Sequence, residues 1–236
     1  MLAIVSDPHG NLQATEAVLA DIGRRGISQV RCLGDYTDYG ANPNEVIALL
    51  KGYPGLRGNH DDYHLGAPAL VSPDVQQTIA WTECKLTPGS REFLKGLVPE
   101  GFAYCQVGPS NFYLVHGSPR DPLSDYICHF PREAEEGLFD DHFLELFRRT
   151  DKAGAIIAGH THRAFRRQLP DGRFVVNAGS VGQPRDGDPR ACYCITDGTW
   201  EGTELVRVEY DIGGARQAIL QAGLPPFHAE RLMDGT

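Results

Sequence analysis

Five short apolar segments of this sequence each end in a side chain that can bind a metal ion, followed by glycine or another turn-forming residue. The segments are LAIVS, VRCLG, LRG, FYLV and AIIAG. Runs of this length predict buried β-strands, and in open α/β sheets ligands bind beyond the carboxyl ends of the strands. If the strands share a sheet, their polar ends meet in one crevice. The side chains concerned are Asp7, His9, Asp35, Asn59, His116, His160 and His162.

Amphipathic stretches alternate with the first apolar runs, which predicts an α/β fold. Asn11 is a suitable cap for a helix that continues to about Arg25. Asn42 and Pro43 then open a second, shorter helix that ends near Gly52. This β-α-β-α order predicts parallel strands at the start of the protein.

The rest of the sequence predicts further helices and a second group of strands. Helices are expected from Ser72, after Thr87-Pro88, and over residues 131–149, whereas the tail from Gly223 is expected to be loosely held. The runs FVVNAG, ACYCIT and TELVRVEY follow AIIAG at short spacing, which favours antiparallel pairing. We expect two mixed sheets, or one mixed sheet, covered by helices in a single domain over residues 1–236.

The composition excludes several kinds of partner. The formal net charge is -9 at pH 7, and an acidic surface repels nucleic-acid backbones and anionic lipid, so we expect no non-specific nucleic-acid binding and no membrane association. No apolar stretch is long enough to cross a membrane, and the opening MLAIVSD does not resemble a secretion signal. The six cysteines form no CxxC pair, which favours free thiols and a cytoplasmic location.

The candidate ligands are imidazoles and carboxylates without a cysteine. Such a set suits manganese, iron, zinc, nickel or cobalt rather than calcium. Seven ligands are too many for one tetrahedral zinc ion, but they suit two ions that share a bridging carboxylate. Two ions about 3.5–4 Å apart can activate water and stabilise a phosphoryl group during displacement. The pattern therefore indicates a dinuclear site at the carboxyl ends of the strands.

Each of these residues also has a purely structural interpretation when it is considered alone. Asp7 could be a helix N-terminal charge, Asp35 could cap a turn, and Asn59 could belong to an ordinary loop. Five coincidences at five segment ends favour the metal site. The remaining histidines lack this context and are interpreted as surface or hydrogen-bonded residues: His64, His129, His142 and His228.

With these motifs in hand, the sequence resembles the calcineurin-like metallophosphoesterases. The matching segments are Asp7-Pro-His9-Gly-Asn11, Gly34-Asp35-Tyr-Thr-Asp38-Tyr39-Gly40, Gly58-Asn59-His60-Asp61, His116-Gly117 and Gly159-His160-Thr161-His162. HGSPRDP and NAGSVGQPRDGDPR are similar to a bacterial subgroup described as diadenosine-tetraphosphatase-like or protein-phosphatase-like. The resemblance implies a four-layer sandwich of two mixed β-sheets flanked by helices, with the dinuclear site at one end.

The resemblance also implies a role for each motif residue. One ion would be held by Asp7, His9, Asp35 and His162, and the other by Asp35, Asn59, His116 and His160. A hydroxide that bridges the two ions, manganese or iron above all, would attack phosphorus, and His60 would protonate the leaving oxygen. Asp38 is the implied partner of His60, and Asp61 is a second candidate. Asn11 is either a turn residue or a substrate contact.

One motif departs from the family pattern. Protein phosphatases of this family carry a phosphate-gripping arginine where this sequence has Tyr39. Arg120, Arg163 and Arg185 follow other motifs and are candidates to replace it. The departure favours phosphodiesters or nucleotide anhydrides as substrates, diadenosine polyphosphates among them. A Ser/Thr protein phosphatase and a non-catalytic metal-binding scaffold remain as alternatives.

Overall fold

Two β-sheets packed face to face form the centre of the protein. The computed structural model describes residues 1–67, 70–98, 100–128 and 136–236, with the side chains of residues 136–139 outside this description. The described strands are β1 (Leu2–Val5), β2 (Gln29–Cys32), β3 (Phe102–Val107), β4 (Ser110–Val115), β5 (Ala155–Ala158), β6 (Phe165–Gln168), β7 (Phe174–Asn177), β8 (Ala191–Thr196) and β9 (Glu204–Val208). The described helices are α1 (Leu12–Arg24), α2 (Pro43–Leu50), α3 (Asn59–Tyr63), α4 (Pro73–Lys85), α5 (Pro88–Gly96), α6 (Glu136–Phe147), α7 (Ile212–Gln221) and α8 (Pro226–Glu230).

Both sheets are mixed. The first has the strand order β2-β1-β8-β9, in which β1 and β2 are parallel and the other neighbours are antiparallel. The second has the order β3-β4-β5-β7-β6, in which β4, β5 and β7 run parallel and the edge strands β3 and β6 are antiparallel to their neighbours. Because β1, β2, β4 and β5 belong to parallel pairs, the members of each pair end at the same edge of their sheet.

Alternating side chains of the strands fill two different layers of core. Ile4 of β1 packs against Leu114 and Ile157 of the second sheet, while its neighbours Ala3 and Val5 pack against the helices on the other side. This period of two is what a strand buried on both faces requires. Helices α1, α2 and α5 cover the first sheet and α6 covers the second, which confirms the predicted α/β four-layer sandwich.

Several element predictions are confirmed, and those for FVVNAG and LRG are wrong. Helix α1 begins after Asn11, whose Oδ1 accepts the N–H of Ala14 at 3.1 Å, and β8 pairs antiparallel with β9 as expected. Strand β7, however, pairs parallel with β5 and lies in a different sheet from β8. The segment from Leu56 to Gly58 makes one isolated bridge, from Leu56 to Val98, and then leads into α3, so it does not form a strand.

The C-terminal tail, helix α6 and two edge strands also differ from the sequence prediction. The tail is packed rather than loose: α7 and α8 pair through an apolar cluster that includes Ile219, Ala229 and Leu232. The helix expected over residues 131–149 spans Glu136–Phe147, and residues 131–135 lie outside the described residues. Edge strands β3 and β6 were not predicted. Within the described ranges, no helix combines the length and apolar character needed to cross a membrane.

Candidate metal centre

The predicted ligands converge beyond the carboxyl ends of four strands. Asp7 follows β1, Asp35 follows β2, His116 follows β4, and the segment containing His160 and His162 follows β5. Backbone hydrogen bonds join these loops to one another, for example from the N–H of Asp7 to the carbonyl of Gly34 at 3.1 Å. The ends of the two sheets therefore build one site. The ligands meet as predicted, but the strands that carry them belong to two sheets rather than to a shared one.

The backbone of these loops adopts an unusual conformation. Among the described residues, eight that are not glycine have positive φ, and seven of them belong to the motifs of the site; these seven are Asp7, His9, Asp35, Asp38, Tyr39, His160 and His162. A side chain in this left-handed region costs free energy, and such residues persist only where surrounding contacts hold them. Here the left-handed residues lie in the loops that follow β1, β2 and β5, and five of the seven are candidate metal ligands.

The first cluster contains Asp7, His9, Asp35 and His162, with one ligand atom of each lying within 4.8 Å of the others. Nδ1 of His9 donates to the carbonyl of Thr37 at 2.7 Å, and Nδ1 of His162 donates to that of Gln183 at 2.6 Å. Burial lowers the pKa of both imidazoles, so the neutral rings present an unprotonated Nε2, and these two nitrogens are 3.1 Å apart. Two lone pairs facing each other across a buried space fit a shared cation.

Carboxylate oxygens complete the same cluster. Oδ1 of Asp7 is buried without a hydrogen-bond partner and lies 3.3 Å from Nε2 of His162, whereas Oδ2 accepts the N–H of His160 at 3.0 Å. A buried carboxylate oxygen without a donor is costly unless a positive charge faces it. The donor set therefore fits a divalent ion of the borderline type.

Asp35 stands between the two clusters. Its Oδ1 accepts the backbone N–H of His60 at 2.9 Å, while its buried Oδ2 has no hydrogen-bond partner. That Oδ2 lies 3.5 Å from Nε2 of His9 and 3.4 Å from Nε2 of His116. The position between imidazoles of both clusters is the one that a bridging carboxylate requires.

The second cluster contains Asp35, His116 and His160. Nδ1 of His116 donates to the carbonyl of Leu33 at 2.9 Å, which directs Nε2 toward the cluster. Oδ1 of Asn59 lies 3.0 Å from this Nε2, and Nε2 of His160 lies 3.2 Å from the carbonyl of Ser124, which leaves Nδ1 of His160 for the cluster. The structure thus brings all seven predicted ligands together in two adjoining groups.

The surroundings lower the pKa of both His160 and Asp35, which keeps the imidazole neutral and the carboxylate charged. Burial and the neighbouring His116 lower the pKa of His160 to about 3, so that imidazole is neutral and available as a ligand. Burial acts against ionisation of Asp35, but the imidazoles of His116 and His60 outweigh it and hold the pKa of Asp35 well below its ordinary value. The acid-imidazole set is consistent with charged carboxylates at the centre of the site.

His60 lies beside the clusters and does not join either of them. Its Nδ1 is 2.7 Å from Oδ2 of Asp38, and its Nε2 is 3.0 Å from the hydroxyl of Tyr39. Asp61, the second candidate partner of His60, is not one: its carboxylate accepts the backbone N–H groups of Asp35, Tyr36 and Gly58. Asp61 therefore ties the Asp35 loop to α3, and burial next to Asp35 raises its pKa to about 7.

A pocket of about 610 Å³ opens onto the clusters. Asp35, Asn59, His160 and His162 form part of its lining together with His60 and Tyr39. Apolar and aromatic side chains form much of the remainder: Tyr63, Ala67, Leu70, Val71, Leu123 and Tyr126. The site is therefore open to a small molecule that carries both a charged and an apolar part.

Of the predicted substrate contacts other than Tyr39, only Arg185 lines this pocket within the described part of the protein. Arg120 pairs with Asp125 at 2.8 Å and stabilises the turn after β4, while Arg163 is exposed. Asn11 caps α1, and its Nδ2 donates to the carbonyl of Gly182 at 2.9 Å, so it is the turn residue of its two interpretations. None of these three side chains lines the pocket, and a role for Arg120 or Arg163 in substrate binding stays a prediction.

Two residues that were not predicted hold ligand residues in place through hydrogen bonds. Gln183 supplies the carbonyl for His162, and the hydroxyl of Ser180 donates to the carbonyl of Asp7 at 2.8 Å. The motif NAGSVGQP after β7 was the available signal for both. His64 and His142 are hydrogen-bonded, which is one of the two interpretations given to them, whereas His228 is buried rather than on the surface and His129 lies outside the described residues.

The fold and the site together define an α/β sandwich protein with paired clusters of metal-ligand residues at the strand ends. The family model for the calcineurin-like phosphoesterase superfamily domain matches residues 1–199, and the protein belongs to that superfamily. Its members are metal-dependent, and this protein is accordingly a hydrolase that acts on phosphoester bonds.

Three relatives illustrate the likeness. An uncharacterized protein of Methanocaldococcus jannaschii is 36% identical, and the alignment covers 100% of this chain and 98% of that protein. The crystal structure of a metallophosphoesterase from Sphaerobacter thermophilus superposes with a TM-score of 0.79 at 30% identity, covering 100% of this chain and 98% of the other. A hypothetical protein of Pyrococcus horikoshii shares the fold, with a TM-score of 0.86 at 20% identity and coverage of 100% and 99%.

Proposed function

We propose that this protein is a two-metal phosphohydrolase that cleaves phosphodiester or nucleotide phosphoanhydride bonds. The observation that carries the proposal is the composition of the pocket: both ligand clusters border it, and aromatic and aliphatic side chains form much of the remaining lining. A nucleotide combines the phosphoryl group and the flat apolar group that such a pocket accommodates.

In this proposal Asp7, His9, Asp35 and His162 hold one divalent ion, and Asp35, Asn59, His116 and His160 hold the second. Bound ions of this kind activate water and offset the charge that develops on the phosphoryl oxygens. Manganese or iron suits the imidazole and carboxylate donors, as do zinc, nickel and cobalt. The backbone carbonyls of Thr37, Leu33 and Gln183 fix the imidazoles for this purpose.

His60 is the proposed general acid. Asp38 holds its Nδ1, so the proton at Nε2 faces the pocket and can pass to the leaving oxygen. Tyr39 contacts the same Nε2 and carries a hydroxyl whose pKa burial raises to about 12, so the hydroxyl stays protonated. The dyad of Asp38 and His60 thereby supplies the proton that an alkoxide leaving group needs.

The substrate side of the pocket favours a small ester over a phosphoprotein. Tyr39 occupies the position where a phosphate-gripping arginine would stand, and Arg185 lies over its ring, with the guanidinium carbon 5.5 Å from the ring centroid. In the described structure, Arg185 forms hydrogen bonds to Gln183 and no ion pair with a carboxylate, so its charge is available to a substrate phosphate. Tyr63 and Tyr126 provide flat surfaces for a base.

The test is metal-dependent hydrolysis by metal-stripped protein after addition of manganese. We would compare p-nitrophenyl phosphate, bis-p-nitrophenyl phosphate and diadenosine tetraphosphate, with His60→Ala as the control variant. We expect cleavage of the diester or the dinucleotide to require manganese. His60→Ala should bind metal normally and lose about 100- to 10,000-fold in turnover, with the smallest loss for p-nitrophenyl leaving groups.

Three outcomes would contradict the proposal. Equal losses for good and poor leaving groups would remove the acid role of His60. Hydrolysis confined to phosphoprotein substrates would indicate a protein phosphatase, and two bound ions without any turnover would indicate a scaffold.

A further inference from the structure

His64, which belongs to no metal cluster, is buried in contact with the dyad of the proposed acid. Its ring follows α3, five residues after Asn59, and its side chain is 0% exposed. Nε2 lies 3.0 Å from Oδ1 of Asp38, and Nδ1 lies 3.0 Å from Oε2 of Glu83. Asp38 uses its other oxygen for His60, so one carboxylate joins two imidazoles.

These contacts determine the protonation of the His64 ring. Each ring nitrogen faces a carboxylate oxygen, and a carboxylate can only accept a hydrogen bond, so both nitrogens must carry a proton. His64 is therefore an imidazolium held between two acids. Burial acts to lower the pKa of His64, but its hydrogen bonds to Asp38 and Glu83 outweigh this effect and raise the pKa.

The row of groups continues from the dyad to the protein surface. Glu83 of α4 has a half-exposed side chain, and its Oε1 pairs with Arg91 of α5 at 2.8 Å. Asp38, by contrast, is fully buried and turns in a left-handed conformation, with φ of 68°. A buried carboxylate that must direct one oxygen at His60 needs its second oxygen fixed as well.

We propose that the His64 imidazolium is a positioning residue for catalysis: anchored by Glu83, it holds Asp38 ionised and oriented so that Asp38 aligns His60 toward the leaving oxygen. The proposal rests on the acid role assigned to His60 under the proposed function. In the described structure, the hydrogen bonds of the His64 side chain go to Asp38 and Glu83, and His64 does not line the pocket. Its effect on turnover therefore passes entirely through Asp38 and His60.

A purely structural role for His64 makes a different prediction. The same contacts attach α4 to the end of α3, so loss of the ring could only loosen the pocket wall and lower turnover of every substrate alike. A positioning role instead affects the proton-transfer step, which matters most for basic leaving groups. The two roles are separable by leaving-group dependence.

The experiment measures kcat and KM of the manganese-loaded protein with an aryl and an alkyl phosphodiester. His64→Leu should lower kcat for the alkyl ester roughly 10- to 100-fold, because misalignment of a catalytic group has effects of this size, and should change the aryl ester much less. His64→Gln, which retains an N–H donor for Asp38, should restore much of the loss. Glu83→Gln tests the contact between Glu83 and His64 without creating an internal cavity. It should lower kcat for the alkyl ester by a smaller factor than His64→Leu.

A double variant gives the sharper test. If His64 acts only through His60, adding His64→Leu to His60→Ala should change kcat by less than about twofold. The proposal would be overturned if the losses of the two single variants multiplied in the double variant. Equal losses for both esters in His64→Leu would also overturn it. Wild-type turnover that does not depend on His60 would refute the proposed acid, whereas dependence on His60 without dependence on His64 would refute this inference alone.

A spectroscopic measurement keeps the test independent of turnover. In zinc-loaded protein, nitrogen–proton correlation spectra of the imidazoles should show both nitrogens of His64 protonated at pH 7. They should also show a hydrogen-bonded Nδ1 proton of His60 that shifts in His64→Leu and returns toward its position in His64→Gln. A neutral His64, or a His60 signal unaffected by the variants, would overturn the proposal.

Discussion

Asp35 shows how much a single residue decides at this site. One carboxylate oxygen fixes the start of α3 through the N–H of His60, and the other faces imidazoles of both clusters. The two oxygens therefore have separate tasks, one structural and one directed at metal. A substitution that preserves the first task and weakens the second isolates the bridging role.

Asp35→Asn should keep the fold and lose both ions. The amide oxygen can still accept the N–H of His60, but the loss of negative charge at the shared position should weaken metal binding more than about 100-fold, beyond the effect of changing an outer partner. Metal content after dialysis against buffered manganese measures the effect. Asp171→Asn, an exposed acid paired with Arg173, is the matched control and should retain two ions. Full occupancy in Asp35→Asn would exclude Asp35 as a bridge.

Tyr39 determines a second property at the scale of one residue, the kind of ester accepted. Tyr39→Arg places a bidentate cation next to the metal clusters, which suits the terminal oxygens of a phosphomonoester better than a diester. We expect the ratio of monoesterase to diesterase kcat/KM to rise about tenfold, since a charge-assisted hydrogen bond contributes roughly 1.5 kcal/mol or more. Tyr39→Phe controls for loss of the hydroxyl. An unchanged ratio in Tyr39→Arg would assign Tyr39 a structural role only.

At the scale of elements, the loops after the strands depend on close backbone approach. A Cβ built at Gly58 would lie 2.1 Å from Oδ1 of Asp35, whereas one built at Gly96 would meet nothing within 4 Å. The glycine before α3 is therefore required for the Asp35 loop and the helix to touch. The carboxylate of Asp61 joins the Asp35 loop to the start of α3, because it accepts the N–H groups of Asp35 and Gly58.

Gly58→Ala should disrupt this junction between β2 and α3. We expect a loss of about 1–3 kcal/mol in the free energy of unfolding, as for other overpacked sites, together with weakened binding of both ions because Asp35 is displaced. Denaturant unfolding and manganese titration measure the two effects. Gly96→Ala, in an exposed helical position, should be neutral or slightly stabilising. Unchanged metal affinity in Gly58→Ala would contradict the proposed dependence.

For the whole molecule, the metal site joins the ends of both sheets. Ligands come from β1 and β2 of the first sheet and from β4 and β5 of the second, so an ion in each cluster would couple the two halves of the sandwich. A ligand that binds only the folded protein stabilises it by mass action. Stability should therefore depend on metal throughout the protein rather than at the site alone.

Removal of metal should lower the melting temperature. With free manganese at 100 times Kd, binding contributes about 2.7 kcal/mol per site, which corresponds to a shift of roughly 5–10 °C in a protein of this size. Thermal unfolding with EDTA and after manganese addition measures the shift. Asp35→Asn should show little of it. An equal shift in that variant, or none in the wild type, would contradict metal binding at these clusters.

The sequence by itself determined the strands that carry the ligands and the identity of those ligands. Apolar runs such as LAIVS and AIIAG must be buried, and parallel strands end at a common edge, so the local pattern places Asp7 beside Asp35 and His116 beside His160. The meeting of these two pairs required the two sheets to pack with their ends together, which the tertiary structure decided. Only the tertiary structure decided which long side chains reach the pocket. Arg120, Arg163 and Arg185 are equivalent in sequence context, yet ion pairing, exposure and stacking separate them.

The same reason explains the error in strand pairing and why the contact of His64 with Asp38 was not predicted. The strands that pair with β7 depended on which sheet β7 joined. The short spacing between β7 and β8 along the chain does not indicate the sheet. His64 became part of the site because folding brought Glu83 of α4 and Asp38 to its two nitrogens. Local patterns fix what must be buried and where strands end, whereas contacts between distant segments depend on how whole elements pack.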